Sequence, residues 1–392
     1  MTETVRAAVI TAPWQMETYT FPLPEPEPGA ALIKMELSGI CGTDKHTFSG
    51  HTTQYGGTEH ERTIPFPVIP GHENVGCIAC IGSTSEPLLD FYQQPLQEGD
   101  RVVVGPNLVC GRCYYCRHGF EYYYCAHLQD YGNSLSSANP PHLFGGWADY
   151  LYALPGSYLF KVPADLPPEI AVLTELMAVT TGLDKAKQFS AVDCEGFRFG
   201  DTVVVQGVGP LGLCHVIKAR MLGAGNIIVI DRSKFRLKMA LEMGADHALN
   251  LNETDLRQRL EGVRQLTEGR GADLVVECAG VPEALPEGLE LLRPGGFYIE
   301  CGNFSDMGSV SINPHLLCAK NVRLIGINGE AATAYGPSMQ ALNRYRRHHP
   351  LDKFVTHHYP VEQAETALRH AMTDDCMKIV IASSEFLGEP KV

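Results

Sequence analysis

Residues 203–212 read VVVQGVGPLG, and the fold of the chain turns on how that stretch is understood. Three consecutive valines with no polar alternation read as a strand buried on both faces. Gly207, Gly209 and Gly212 follow at once, before the helical run that PLGLCHVIKARMLGA predicts. In that strand–loop–helix setting each glycine has a physical task. The first permits a tight turn, the second lets the backbone approach a pyrophosphate, and the third lets helix pack on strand, with the diphosphate at the helix N-terminus. A second strand, NIIVID, ends in Asp231, nineteen residues beyond Gly212, where a carboxylate accepts hydrogen bonds from an adenosine ribose. That carboxylate repels a ribose phosphate, which favours NAD over NADP. Arg232 and Arg236 are further cofactor-facing candidates, and an arginine beside the acid is the residue type that would hold such a phosphate. The plain alternative is a glycine turn with no nucleotide.

Outward from this loop the same rhythm continues. RLKMALEMGA, ADLVVECAG, PEGLELLRPGG and FYIECG alternate helical runs with apolar strands, which predicts a doubly wound parallel α/β sheet. Upstream, PPEIAVLTELMAVTTGLDKAKQ reads as one long helix opened by prolines. Residues 1 to about 160 have a different texture: AALIKMEL, NVGCIACIG and DRVVVGP are short β-rich runs broken by Pro and Gly, predicting a β-barrel-like domain with long loops. The tail from about 335 reads as an amphipathic helix around VEQAETALRHAMTDD and a short strand, KIVIA.

The 392 residues suffice for two domains, and a net charge of −14 argues against a nucleic-acid groove or an anionic membrane face. The N-terminus lacks the pattern of a signal peptide and no apolar run reaches the length of a membrane span, so the expected setting is the cytoplasm and the expected partner a small molecule. In a reducing compartment thirteen cysteines are not a disulfide framework. The scattered ones, Cys194, Cys278, Cys301 and Cys376 among them, read as small buried hydrophobes. Cys110, Cys113, Cys116 and Cys125, within CGRCYYCRHGFEYYYC, read as metal ligands instead. Four thiolates fill a tetrahedron and leave no open position, so such an ion folds a loop and cannot bind substrate. A second set is quieter: Cys41, His72 and Glu73 offer the thiolate, imidazole and carboxylate of a zinc site with an exchangeable position, although a core cysteine and a loop histidine read as well from spacing alone.

Taken in order, GICGTDKH (39–46), PFPVIPGHENVG (65–76), the four-cysteine run, GGWADYL (145–151), and GVGPLG with its downstream Asp231 resemble the zinc-dependent medium-chain dehydrogenases, the alcohol, sorbitol and threonine dehydrogenase family. The resemblance covers nearly the whole chain. It implies a GroES-like β-barrel catalytic domain over 1–180, a doubly wound Rossmann NAD-binding domain over 181–330, and a segment 331–392 that returns to the catalytic domain. It implies two zinc ions per chain and a homodimer or homotetramer.

Residue by residue, Cys41 and His72 resemble the family's ligands to the catalytic zinc and Glu73 the adjacent carboxylate. In VLTELMAV, Glu175 stands where the liver-type alcohol dehydrogenases carry a cysteine. That resembles the sorbitol and threonine dehydrogenase pattern, and its harder ligation implies a polyol or secondary alcohol as substrate. Thr43 resembles the hydroxyl that bonds the alcohol, Asp44 the carboxylate that orients the histidine ligand, and His46 the proton relay to solvent. The four-cysteine run resembles the structural zinc lobe, except that its last gap has eight residues where the family commonly has seven. Cys125 is the ligand this puts in question, with His118 and His127 as substitutes.

The implied reaction is reversible oxidation of a polar alcohol to a carbonyl by hydride transfer to NAD. Two rivals stand beside it: a zinc-free quinone or enoyl reductase of the same superfold, and a NAD-binding redox sensor. The loop after His46, with His51, His60 and Arg62, is polar enough to line a pocket for a hydroxylated or anionic substrate, or to be a solvated surface loop. The stretches 83–100 and 188–201 read as elaborations atypical of the family.

Overall fold

β-Branched and apolar runs become strands, and Pro, Gly and Asx clusters become the turns between them. The structure is a computed structural model that describes residues 3–58, 60–188 and 196–388. The chain divides into two units. One comprises Met1–Glu175, Ala331–Arg347 and Asp352–Val392; the other comprises Leu176–Glu330 and His348–Leu351.

The first unit opens with an antiparallel hairpin, β1 (Thr4–Ala12) and β2 (Gln15–Pro22). β3 (Ala31–Gly39) leads into α1 (Gly42–Ser49), followed by the short pair β4 (Thr53–Gln54) and β5 (Arg62–Thr63), and then by β6 (Glu73–Ile81) and β7 (Arg101–Val104). A lobe follows with β8 (Asn107–Leu108), α2 (Tyr114–Arg117) and β9 (Gln129–Asp130), and then β10 (Tyr150–Ala153) and β11 (Leu159–Lys161). β3 is the hub of the main sheet because its apolar side chains are buried nearly end to end. It pairs antiparallel with β6 along its length, with Gly39 facing Glu73, and with β10 over Ala31–Lys34. Trp147, Tyr131 and Phe48 are fully enclosed in this unit's core.

The stretch read as one long helix is three: α3 (Pro168–Ala171), α4 (Thr174–Val179) and α5 (Thr181–Gln188). The breaks have a chemical cause. Thr174 and Thr180 each donate their hydroxyl at 2.6 Å to the carbonyl three residues back, Ala171 and Met177, competing with the helical ladder.

The second unit carries β12 (Thr202–Gln206), α6 (Pro210–Met221), β13 (Asn226–Asp231), α7 (Lys234–Glu242), β14 (His247–Asn250), α8 (Leu256–Gln265), β15 (Ala272–Glu277), α9 (Ala284–Leu291), β16 (Leu292–Glu300), α10 (Pro314–Lys320) and β17 (Arg323–Gly326). Its six strands are all parallel in the order β14-β13-β12-β15-β16-β17. This is the doubly wound dinucleotide order, with the switch point between β12 and β15, where such sheets bind ligand beyond their carboxyl ends. Burial explains the lack of alternation: β12, β13 and β15 are shut off on both faces almost throughout.

The chain then rejoins the first unit through α11 (Tyr335–Tyr345), β18 (Val355–Pro360), α12 (Ala364–Ala371) and β19 (Lys378–Ala382). β19 pairs antiparallel with the end of β3 and parallel with β18. The stretch 83–100 is anchored inside this unit. Asp90 caps its own turn through the amides of Tyr92 and Gln94, Phe91 meets Phe160, and the Tyr92 hydroxyl accepts from the Gly336 amide at 2.9 Å. Of the stretch 188–201, positions 189–195, with Cys194, lie outside the described residues.

Candidate functional site

The end of β3 and the start of β6 bring the first donor set together. Because Gly39 and Glu73 are register partners, Cys41, two residues past Gly39, meets His72, one before Glu73. Gly39 has to be a glycine: a Cβ there would stand 1.8 Å from a Glu73 carboxylate oxygen. Gly71, at φ +93°, precedes His72 and packs on Trp147, whose ring a Cβ there would meet at 2.3 Å. The ligand atoms of Cys41, His72 and Glu73 lie within 4.8 Å of one another. Glu175 is buried beside them but outside that group, near enough for its charge to act on His72.

Asp44, in the first turn of α1, ties this corner together. One oxygen accepts from the Cys41 amide at 2.8 Å; the other accepts from the Gly71 amide at 3.3 Å and faces His72 Nδ1 at 3.7 Å. Burial raises the Asp44 carboxyl, with His72 opposing. Burial would lower His72, but Asp44, Cys41 and Glu175 outweigh it and hold the imidazole well above its ordinary range.

One residue of this site was not singled out in the sequence. Lys378, at the start of β19, is fully buried, pairs with Glu73 and donates to the Ile40 carbonyl at 3.0 Å. The signal was there, a lysine opening the otherwise apolar strand KIVIA. Around His72 stand three carboxyl groups and a thiol against this single ammonium, and Glu73 Oε1 is buried with no hydrogen-bond partner. A donor set of N, S and O atoms with surplus negative charge and an orphaned carboxylate oxygen fits a zinc ion.

Thr43 Oγ1 lies 4.0 Å from the Cys41 sulfur. His46, at the far end of α1, is lowered by burial and by Lys45 and His51; its ring meets His51 edge-on at 5.8 Å, and His51 Nδ1 is 3.3 Å from Ser49 Oγ.

The four sulfurs of Cys110, Cys113, Cys116 and Cys125 also lie within 4.8 Å of one another. A left-handed Gly119 and a 3-10 turn over Tyr122–Tyr124 lie between Cys116 and Cys125, whose sulfur is in the cluster. His118 turns away, bonding the Tyr114 carbonyl at 2.7 Å and stacking on its ring. Backbone amides of Cys116 and Ala126 push the Cys113 thiol down to about 6, whereas burial and the neighbouring Cys113 and Cys125 push Cys116 up to about 12. Arg62 is engaged by Asp130, the Leu128 carbonyl and Gln54, so its guanidinium is already satisfied.

In the second unit the glycines separate by cause. Gly207 has φ +81°, and a Cβ there would meet Ala279 at 2.6 Å; at Gly212 it would meet the Gly207 carbonyl at 1.9 Å. Gly209 is not crowded by protein at all. Its nearest neighbour would be an Arg236 nitrogen at 3.9 Å, and its φ is an ordinary −64°. Packing therefore dictates the outer two glycines, while the middle one leaves a bare cradle at the N-terminus of α6, which fits a dinucleotide pyrophosphate. Asp231 is buried at the end of β13, accepting from the Val208 and Ser233 amides at 2.8 Å each. Ser233 caps α7 through the Arg236 amide. Cys278 and Cys301 do sit together, sulfurs 3.6 Å apart, with His215 beside them and driven down to about 4 by burial.

A parallel dinucleotide-type sheet and a β unit with two zinc-type donor sets define a class of metal- and nucleotide-dependent enzymes. Residues 27–164 match the alcohol dehydrogenase GroES-like domain and residues 210–344 the zinc-binding dehydrogenase family. The chain is 33% identical over 381 residues to 5-exo-hydroxycamphor dehydrogenase of Pseudomonas putida, covering 97% of this chain and 99% of that protein. It is 31% identical over 362 residues to sorbitol dehydrogenase of Halalkalibacterium halodurans, covering 91% and 93%. A crystal structure of an alcohol dehydrogenase from Thermotoga maritima superposes with a TM-score of 0.84 at 30% identity, covering 97% of this chain and all of that one. The chain belongs to the zinc-dependent medium-chain dehydrogenases, oxidoreductases with a GroES-like domain and a Rossmann-type sheet. Among the described residues no helix is long and apolar enough to cross a membrane.

Proposed function

We propose that this dehydrogenase oxidises a polar secondary or polyol-like alcohol to the carbonyl, reversibly, with NAD, and that each chain holds one zinc at Cys41, His72, Glu73 and Glu175 and another in the four-cysteine lobe. The observation that carries the reading is the Cys41–His72–Glu73 group, whose donor atoms lie within 4.8 Å of one another with a buried Glu73 oxygen left without a partner. The sorbitol dehydrogenase relative supports a hydroxylated substrate. When bound, zinc would lower the pKa of a hydroxyl toward neutrality, and NAD would accept a hydride.

The chain's own residues do the rest. Asp44 holds His72 in one orientation. Thr43, at the mouth of the donor set, accepts the hydroxyl proton and passes one on. His46, which burial holds below its ordinary range, or the cofactor ribose carries it on to solvent. Asp231 bonds the adenosine ribose and makes NAD the better fit; Arg232 and Arg236 are what a NADP reading would use.

The test is metal content with NADH absorbance across polyols, amino alcohols and hydroxy acids. Two zinc ions per chain and alcohol-dependent NADH formation are expected, with one zinc equivalent and the turnover lost in Cys41→Ser and His72→Ala. Full zinc and full turnover in either variant would overturn the reading, and turnover without zinc would favour a zinc-free reductase.

A further inference from the structure

We propose that His370, Asp375 and Cys376, with His357 beside them, form a third metal site in the first unit, suited to a borderline divalent transition cation such as zinc. His370 comes from the last turn of α12; Asp375 and Cys376 come from the turn that leads into β19. Their ligand atoms lie within 4.8 Å of one another. His370 Nε2 is 3.5 Å from Asp375 Oδ1, against about 3.4 Å for two ligands of a tetrahedral zinc with bonds near 2.1 Å.

The surroundings are those of a supported ligand set. His370 Nδ1 is already bonded to the Tyr359 hydroxyl at 2.8 Å, which leaves Nε2 to face Asp375. The His357 ring packs on that of His370 with centroids 4.3 Å apart, and its own Nδ1 is held by Thr356 Oγ1 at 3.0 Å. Cys376 is buried, its thiol 3.5 Å from the His370 carbonyl, while Asp375 is exposed. The site is thus closed on the protein side and open to water, with thiolate, imidazole and carboxylate in reach. The Thr373 hydroxyl and the two histidines also hold the Asp375 carboxyl below its ordinary range.

The buried His215–Cys278–Cys301 group lacks this preparation, because His215 Nδ1, the nitrogen beside Cys278, already bonds the Leu211 carbonyl at 3.0 Å. A cation at the third site would clamp the turn 372–377, whose next residue is Lys378, the partner of Glu73.

The experiment titrates the full-length protein, carrying the zinc it is purified with, with Co2+ while zinc release is followed. One cobalt is expected per chain with no zinc displaced, and with a thiolate-to-cobalt absorption band that Cys376→Ser removes. Asp375→Asn, an exposed change with little reach into the fold, and His370→Gln should each weaken this binding by about tenfold or more. Cobalt uptake that only displaces zinc, or that is the same in Asp375→Asn and His370→Gln as in the parent, would sink the proposal. Neither result depends on which alcohol is oxidised, so the outcome is separate from that of the activity screen.

Discussion

The ammonium of Lys378 and the carboxylate of Glu73 form an ion pair whose two side chains are 1% and 0% exposed. Burial would lower the lysine, but Glu73 and, behind it, Cys41 keep it raised and charged. Each charge is tolerated there because the other is present. The pair also brings the C-terminal strand β19 to the donor set formed by β3 and β6.

Removing only one partner leaves a buried charge uncompensated. Lys378→Met is expected to lose about 3–5 kcal/mol of stability, and the double variant Lys378→Met/Glu73→Gln to regain most of it. Urea unfolding of the two single variants and the double completes the cycle. A Lys378→Met protein within about 1 kcal/mol of the parent would show that the pair is not what neutralises Glu73.

The glycine loop gives two opposite outcomes from the same chemical change. Gly207→Ala forces a Cβ into Ala279 at a positive φ and should lower the melting temperature whether or not cofactor is present. Gly209→Ala finds open space and an ordinary φ, so it should fold as the parent does while NAD binding weakens by on the order of tenfold or more. Calorimetric NAD titration beside a thermal melt separates the two. An unchanged NAD affinity in Gly209→Ala would place the pyrophosphate elsewhere.

Glu277, at the end of β15, is pushed up to about 8 by burial and by its hydrogen bond and charge contact with Glu300. Its oxygens also accept from the Ala279, Gly280 and Gly302 amides at 2.6, 2.8 and 3.0 Å, tying together the loops after β15 and β16. The folded state therefore holds a proton that the unfolded chain releases near 4.5. The stability this contributes is full below that value and is lost as pH rises through about 8, on the order of a few kcal/mol. The melting temperature should fall between pH 6 and 9, and Glu277→Gln, which carries its hydrogen permanently, should flatten that fall. Parallel slopes for the two proteins would count against the shared proton.

Cys125→Ser should remove one equivalent of metal and lower the melting temperature, with the ranking of substrates unchanged, because a closed four-thiolate site offers substrate no position. Metal analysis and the substrate panel on the same preparation check it. An altered substrate ranking would mean that the lobe reaches the chemistry.

Some of this was legible before any coordinates. Short unbroken valine and isoleucine runs bounded by glycine read as strands buried on both faces, and their alternation with helical runs leaves a parallel sheet as the economical solution. The single helix read over 167–188 was wrong because two threonine hydroxyls compete for backbone carbonyls, and a threonine in a sequence does not announce which bond it will make. Lys378 escaped notice because its meaning lies in a partner about 300 positions away in the chain.

The sequence by itself determined the class of sheet, the glycine loop with its acid, and which residue types could hold zinc, since periodicity and ligand chemistry are local properties. Tertiary structure decided what local reading cannot reach. Strand register set Cys41 against His72, and the return of β19 to β3 delivered the ammonium that makes a buried Glu73 tolerable. It also separated the glycines required by packing from the one left bare. These outcomes depend on distances between residues far apart in sequence, and only the folded chain supplies those distances.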